Sequence, residues 1–184
     1  MHLKLITRQR IKKNKKSMKR MCLVMKHRMR MLVIQNHFLT LRKHMDTLDF
    51  RKISLNTLVN EKATYTFNEL KEYIDWEVKR VYFIQNCKEA TGQHCHYKEN
   101  EMFIMAKGSC TAIIDQGNGK EDVILNGPGD AIVTGALVWH GFKDFSDDAL
   151  LIALSSTNYN PDRSDYLEDY EAYRKILGEN GLAA

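Results

Sequence analysis

His94-Cys95-His96-Tyr97-Lys98-Glu99-Asn100-Glu101, continued by Met102-Phe103-Ile104-Met105-Ala106-Lys107-Gly108, is the stretch whose reading decides the fold. Side chains alternate faces along a strand, so His94 and His96 share one face and Cys95 takes the other. Glu101 opens the next apolar run, and a third histidine, His140, closes a further short run beyond Gly129. Two imidazoles, a carboxylate and a distant imidazole can close around a borderline divalent ion. They can equally close around a sugar that must lose a proton.

Working outward, strands are expected over 94–97, 101–106, 109–115, 122–125, 131–134, 137–142 and 150–155. The turns between them are marked by Lys107-Gly108, by Gln116-Gly117-Asn118-Gly119 with its Asn-Gly pair, and by Asn126-Gly127-Pro128-Gly129. Upstream, alternation predicts strands over 53–59, 63–67 and 76–84, a helical turn or two over 68–74 capped by Asn68, and a polar loop over 86–93. Met102, Phe103, Ile104 and Met105 read as core residues on both faces of their strand. Cys95 and Cys110 read as buried filler, Asp115 and Asn118 as turn residues, and Asp147 and Asp148 as solvent-facing. Many short strands without helical interludes argue for a β-barrel or sandwich over about 53–157 and against an α/β sheet. Helical spacing enters only after Pro161, where Tyr166, Tyr170, Tyr173 and Leu177 recur at three and four. That predicts one helix within 161–177, started by Pro161 and Asp162 and stopped by Gly178.

The net charge of +5 hides two unlike segments. Residues 1–52 hold sixteen Lys/Arg against Asp46 and Asp49, whereas 53–184 hold twelve against twenty-one Asp/Glu. The basic character therefore belongs to an appendage over 1–44, which repels itself and is expected not to pack. The acidic body over 45–184 offers no basic groove, so nucleic-acid binding through it is not expected. The appendage itself leaves open a nucleic-acid or membrane arm, a transit peptide, or a biological start at Met45. No stretch is apolar for long enough to span a membrane. Four cysteines without a Cys-x-x-Cys pair fit reduced thiols in a cytoplasmic protein.

His94-x-His96-x4-Glu101-x6-Gly108 resembles the first cupin motif from its histidines onward. Gly129-x5-Gly135-x4-His140 resembles the second, with Gly135 where proline is usual and Leu137 where glycine is usual. The resemblance implies an all-β fold, a cupin/jelly-roll β-barrel with a short C-terminal helix and, here, a basic N-terminal extension. It carries a metal-ligand role onto His94, His96, Glu101 and His140. A closer match runs through Lys79–Ile84, Gly92-x-His94-x-His96, Gly108-Ser109-Cys110, Asp115-x-Gly117-Asn118, Val138-Trp139-His140 and Asp144-Phe145-Ser146, then through Ser155-Ser156-x-x-Tyr159-Asn160 and Asp165-Tyr166-Leu167-x-Asp169-Tyr170. Together these resemble the dTDP-sugar 3,4-ketoisomerases, which are usually dimeric. A start at Met45 would give 140 residues, near the usual length in that family. The chain departs from the pattern at four places. Thr91-Gly92 replaces Arg-Gly, Tyr97 stands where lysine is usual, Glu101 stands where glutamine is usual, and Asn60-Glu61-Lys62 replaces an Asp-x-Arg-Gly signature.

The resemblance implies isomerisation of a nucleotide-linked 4-keto-6-deoxyhexose to its 3-keto isomer, in deoxysugar and polysaccharide precursor synthesis, with no cofactor required. His94 is then the leading base and His96 a second acid/base or orienting group. Arg80 lines the substrate pocket and His140 orients there, Tyr82 and Trp139 either line it too or pack in the core, and Arg80 or Lys98 stands in for the missing phosphate arginine. Two alternatives stay open. One is a metal-dependent cupin enzyme, an oxygenase or an epimerase/isomerase, holding Fe, Mn, Ni or Zn on the quartet. The other is a non-catalytic sugar-binding or sensing module.

Overall fold

The computed structural model describes residues 48–183; the expected appendage over 1–44 and its boundary at Met45 lie outside them. Twelve strands and two helices are described. The strands are β1 (Phe50–Ser54), β2 (Asn56–Val59), β3 (Thr64–Phe67), β4 (Arg80–Gln85), β5 (Thr91–His96), β6 (Glu101–Lys107), β7 (Ser109–Asp115), β8 (Glu121–Asn126), β9 (Asp130–Thr134), β10 (Trp139–Lys143), β11 (Leu150–Ser155) and β12 (Tyr166–Leu167). Helix α1 (Leu70–Tyr73) follows β3, and α2 (Tyr170–Glu179) ends the fold.

All pairings are antiparallel, as expected of strands joined by short turns. One sheet runs β1-β9-β6-β11-β4, a second runs β12-β5-β10-β7-β8, and β2 with β3 forms a hairpin apart. The ladders thus leave two facing five-stranded sheets, neither closed on itself. They meet through residues such as Phe103 of β6 and Phe142 of β10, whose ring centroids lie 4.7 Å apart.

Alternation decides which residue faces which layer. On β6, Glu101 and Phe103 turn towards the second sheet. Met102 turns the other way, into a core with Leu55, Ile74, Ala131, Val133 and Leu154. On β10, His140 turns inward, whereas Trp139 turns outward against Tyr170 and Tyr173 of α2. Each sheet therefore has both faces occupied in its middle. This explains why 101–105 reads as continuously apolar after its first residue.

Several expectations shift, each for a local reason. The strand over 53–59 breaks at the buried Leu55, whose N–H leaves the ladder to bond Gly129 O at 2.7 Å. Residues 76–79 do not join β4, because Trp76 and Val78 pack against the outer core instead. The polar loop over 86–93 ends early, since Thr91 already pairs with Phe142. Asn68 does not cap α1; its amide lies 3.8 Å from Met102 Sδ, and Glu69 takes the cap position without a side-chain bond. The C-terminal helix starts at Tyr170 rather than at Pro161. Asp169 caps it by accepting from Ala172 N at 3.1 Å, and Tyr166 belongs to β12. Gly178 lies inside the helix, which Asn180 closes.

Two backbone positions, one in each motif, hold the motifs in shape. A Cβ at Gly108 would stand 2.9 Å from Ala149 Cα, so only glycine fits that turn. Leu137 holds a left-handed φ of 62°, which a γ-branched residue adopts only when its surroundings impose it. Its N–H bonds His96 O at 2.7 Å and its side chain is buried, so the strained residue ties the two motifs together.

Candidate active site

The quartet converges. Residues β5 and β10 are paired so that His94 lies opposite His140, and β12 brings Tyr166 opposite His96. Glu101 reaches them from the facing sheet. His94 Nε2 lies 3.1 Å from His96 Nε2. Glu101 Oε2 lies 3.3 Å from His96 Nε2 and 3.2 Å from His140 Nε2. The other carboxylate oxygen, Oε1, accepts from the Tyr82 hydroxyl at 2.7 Å.

A cavity of about 560 Å³ opens over this cluster. His94 and His140 line it, with Arg80 and Tyr82 from β4 and Phe103 and Phe142 below. His96 and Glu101 do not line it; at 2% and 1% exposure they sit behind His94. The pair of histidines is therefore layered, with one ring on the cavity and one under it.

The layering sets opposite proton affinities. Burial and the adjoining His140 and His96 push His94 down to about 2, so it is neutral. Burial opposes charge on His96 as well, but its contacts with Asp165, Glu101 and Glu99 outweigh burial and push it up to about 9. Burial likewise opposes charge on Glu101, yet the two histidines facing it hold its carboxyl well below the usual range. Tyr82 is pushed up by burial and by Glu101, so its phenol stays protonated.

The atoms at the centre lack aligned hydrogen bonds. Glu101 Oε2, His140 Nε2 and His96 Nδ1 are buried without a partner. His140 Nδ1 lies 3.1 Å from Val138 O, which can only accept, so Nδ1 carries a proton and Nε2 is left facing the carboxylate. A cation between Glu101 Oε2 and His140 Nε2 would give both atoms a partner. Two ligand atoms each ~2.1 Å from a metal stand ~3.0 Å apart at right angles and ~3.4 Å apart in a tetrahedron. The spacings of 3.1, 3.2 and 3.3 Å fall in this range, so the quartet fits a divalent ion.

Other expected residues fall elsewhere. Trp139 does not face the cavity: it is 1% exposed and packs against α2, because β10 points its neighbour His140 inward. Lys98 is exposed in the β5–β6 turn and does not line the cavity. Arg80 does line it, yet its Nη2 already lies 2.5 Å from Glu99 Oε1 and its guanidinium lies between the Tyr82 and Tyr159 rings. Asp115 is more than a turn residue. It is fully buried, accepts from Gly117 N, Gly119 N and the Tyr170 hydroxyl, and accepts from Tyr173 through its carbonyl.

Four residues beside the site were not expected there from the sequence. Glu99 is 3% exposed and accepts from Arg80, Ser155 Oγ and Thr157 Oγ1, though its turn reads as solvated. Asp165 Oδ2 lies 3.5 Å from His96 Nδ1. Tyr166 packs on both histidines, with ring centroids 4.7 Å from His94 and 4.4 Å from His96. Arg163 lines the cavity and lies over the Tyr166 ring at 4.0 Å. The last three could have been found in the Asp165-Tyr166 tail motif, had it been read as extended chain instead of helix.

The FdtA family model, described as WxcM-like, C-terminal, matches residues 48–178. The chain belongs to this family, within the cupins. TDP-4-oxo-6-deoxy-alpha-D-glucose-3,4-oxoisomerase of Aneurinibacillus thermoaerophilus is 29% identical over 137 residues, covering 73% of this chain and 97% of that relative. The solved 3,4-ketoisomerase from Helicobacter canadensis superimposes with a TM-score of 0.64 at 26% identity, over 71% of this chain and 98% of that one. The sugar 3,4-ketoisomerase from Thermoanaerobacterium thermosaccharolyticum, solved in complex with TDP, gives a TM-score of 0.64 at 26% identity, over 71% and 95%.

Proposed function

We propose that this enzyme isomerises a nucleotide-linked 4-keto-6-deoxyhexose, with thymidine diphosphate (TDP) as the carrier, to its 3-keto isomer by histidine-mediated proton transfer. One observation carries the reading: two histidines 3.1 Å apart, the neutral one on the cavity and the proton-rich one beneath it. The similarity to ketoisomerases that handle TDP-linked sugars supports the substrate class.

The C3 hydrogen is acidic because it lies next to the C4 carbonyl. His94 Nε2 accepts it, the electrons of the C–H bond form a C3–C4 double bond, and the C4 oxygen gains the charge. The C3 hydroxyl proton then passes to the C4 oxygen as the new C3 carbonyl forms, and the proton held by His94 is delivered to C4. No redox partner is consumed. Because His94 has so low a proton affinity, the proton it takes is readily given back. His96 stores a further proton 3.1 Å away, and Asp165 and Glu101 hold its ring in line. Tyr166 offers the cavity wall a phenol that burial and the nearby Glu99 and Glu101 keep protonated. Phe103 and Phe142 keep water from the floor.

A second reading is favoured by the orphaned Glu101 Oε2 and His140 Nε2. A divalent ion (Fe, Mn, Ni or Zn) held by His94, His96, Glu101 and His140 would supply Lewis-acid polarisation of a carbonyl. The fold then works as one barrel around the cavity. A cytoplasmic homodimer fits both readings, with the β4 edge exposing Val81 and Phe83 as a natural partner surface. Among the described residues, no helix is long and apolar enough to cross a membrane. The body over 45–184 is the working domain, and residues 1–44 are a basic extension to it.

The test is hydrogen exchange. Chelator-treated protein with TDP-4-keto-6-deoxyglucose in deuterated buffer should place deuterium on the sugar and form the 3-keto product, followed by NMR. His94→Asn should keep the fold by circular dichroism and lose about 10²–10⁴-fold in exchange rate. No product and no exchange from wild-type protein, with or without Fe, Mn, Ni or Zn, would overturn the assignment. Activity only after adding metal would select the second reading.

A further inference from the structure

We infer that Arg163 is the phosphate-binding arginine of this chain, taking over from the tail segment a role for which Thr91 is unfitted. The inference rests on the nucleotide-sugar reading above and deepens it. A nucleoside diphosphate brings two or three negative charges to the cavity, and something cationic at its wall must meet them. Thr91 lines the cavity, but its hydroxyl carries no charge.

The other cations near the site are committed or misplaced. Arg80 is matched by Glu99 at 2.5 Å and lies 3.9 Å from Glu101, with 17% of its side chain exposed. Its Nε and Nη1 are buried without a partner, and its Cζ lies 5.2 and 5.7 Å from the Tyr82 and Tyr159 ring centroids. A diphosphate binding there would compete with the charges of Glu99 and Glu101 beside it. Lys98 lies outside the cavity. Arg163 differs on each point. It lines the cavity, its side chain is 41% exposed, and among the described residues it pairs with Glu168, which is 62% exposed and on the same wall. Exposed pairs of this kind add little to stability, so an incoming phosphate displaces Glu168 at small cost.

The backbone is shaped to present this side chain. Arg163 holds a left-handed φ of 51°, unusual for a residue with a long side chain. The turn that imposes it is bonded throughout: Arg163 N to Asn160 O at 3.1 Å, Tyr166 N to Arg163 O at 3.0 Å, and Ser164 N to Asp162 Oδ1 at 2.8 Å. The guanidinium carbon then lies over Tyr166, 4.0 Å from the ring centroid. Tyr166 in turn packs against His94. A guanidinium held over an aromatic face keeps its N–H donors for a phosphate. Held there, the diphosphate places the sugar beside His94.

The experiment is calorimetric titration of TDP into wild-type protein, Arg163→Gln and Glu168→Gln, at low and moderate salt. Charge-assisted hydrogen bonds lost to Gln should weaken TDP binding by about 10–100-fold and flatten its salt dependence. Glu168→Gln should bind TDP as tightly as wild type or more tightly, because it frees the arginine and removes a repelling charge. A purely structural Arg163–Glu168 pair would instead make both variants equally weak, and that result overturns the assignment. So does an Arg163→Gln protein that binds within twofold of wild type. If wild-type protein binds no TDP at all, the nucleotide-sugar reading fails and the assignment fails with it, an outcome distinct from the other two.

Discussion

Glu101→Gln is the perturbation that most directly separates the charges of the site. The change keeps the shape of the side chain and removes its charge. In the wild-type protein Oε2 lies 3.3 Å from His96 Nε2. Two unit charges at that spacing attract by about 5 kcal/mol at an effective dielectric of about 20. Not all of that is lost, since Asp165 and Glu99 still face the other side of the His96 ring. A single opposing charge at this range shifts a pKa by about 1–3 units. His96, now pushed up to about 9, should therefore fall by about 2 units to near 7. The assay is an NMR titration of the histidine ring protons in chelator-treated wild type and variant, beside the pH dependence of sugar deuterium exchange. The alkaline fall in rate should move down with His96, while the rate near pH 6 stays within about tenfold. If His96 titrates at the same pH in both proteins, Glu101 does not hold its proton and the charge argument is wrong. Metal content measured on the same pair adds an independent reading: loss of the one anionic ligand should sharply lower occupancy.

Two further outcomes follow from buried charges. Stability of the chelator-treated protein should peak near pH 6.5. The lowered His94 contributes stability that is present above its unfolded value of 6.5 and is lost as pH falls below it, and Glu101 adds to the acid loss. The raised His96 contributes stability that is present below 6.5 and is lost as pH rises towards about 9. Where one group alone is responsible the slope is about 1.4 kcal/mol per pH unit, so urea midpoints that stay flat from pH 5 to 9 would refute both assignments. Asp115→Ala should cost about 3 kcal/mol, because the Tyr170 hydroxyl and the Gly117 and Gly119 amides lose their acceptor. The melting temperature should then fall by about 6–12 °C with early hydrogen exchange in α2, and an unchanged melting temperature would return Asp115 to the status of a simple turn residue.

What could be read from the sequence follows the range of the forces involved. Alternation and turn chemistry are local, so β7 and β11 are bounded as expected and the shared face of His94 and His96 follows from spacing alone. Buried charge is not local. Glu99 reads as part of a solvated turn because its three donors, on Arg80, Ser155 and Thr157, arrive from distant chain segments. Trp139 left two readings open, pocket or core, and the alternation already used for β5 decides it on β10: parity places it opposite His140 and so in the core. The tail misleads for a different reason. Tyr166, Tyr170 and Tyr173 have helical spacing by coincidence, since the first contributes to β12 and only the other two share a helix.

The two readings of the site compete for the same atoms, and this makes them linked rather than independent. A metal needs the Nε2 lone pair of His96, whereas the proton-transfer route needs a proton on that ring. Raising His96 to about 9 therefore lowers metal affinity at neutral pH, because uptake must first expel the proton. The same Glu101 charge that would hold a metal is what holds the proton, so glutamate at this position strengthens both states and does not by itself choose between them. The choice falls to the second contacts of His96. Asp165 and Glu99 stand 3.5 and 3.8 Å from Nδ1 and favour a doubly protonated ring. An arrangement built for a metal would require only a neutral ring with Nδ1–H donating to one of them. Arg80 already offsets the Glu99 charge, so it is chiefly Asp165 that favours the proton on a metal-free ring, and the metal content of Asp165→Asn beside wild type should rise if that carboxylate is what holds the proton.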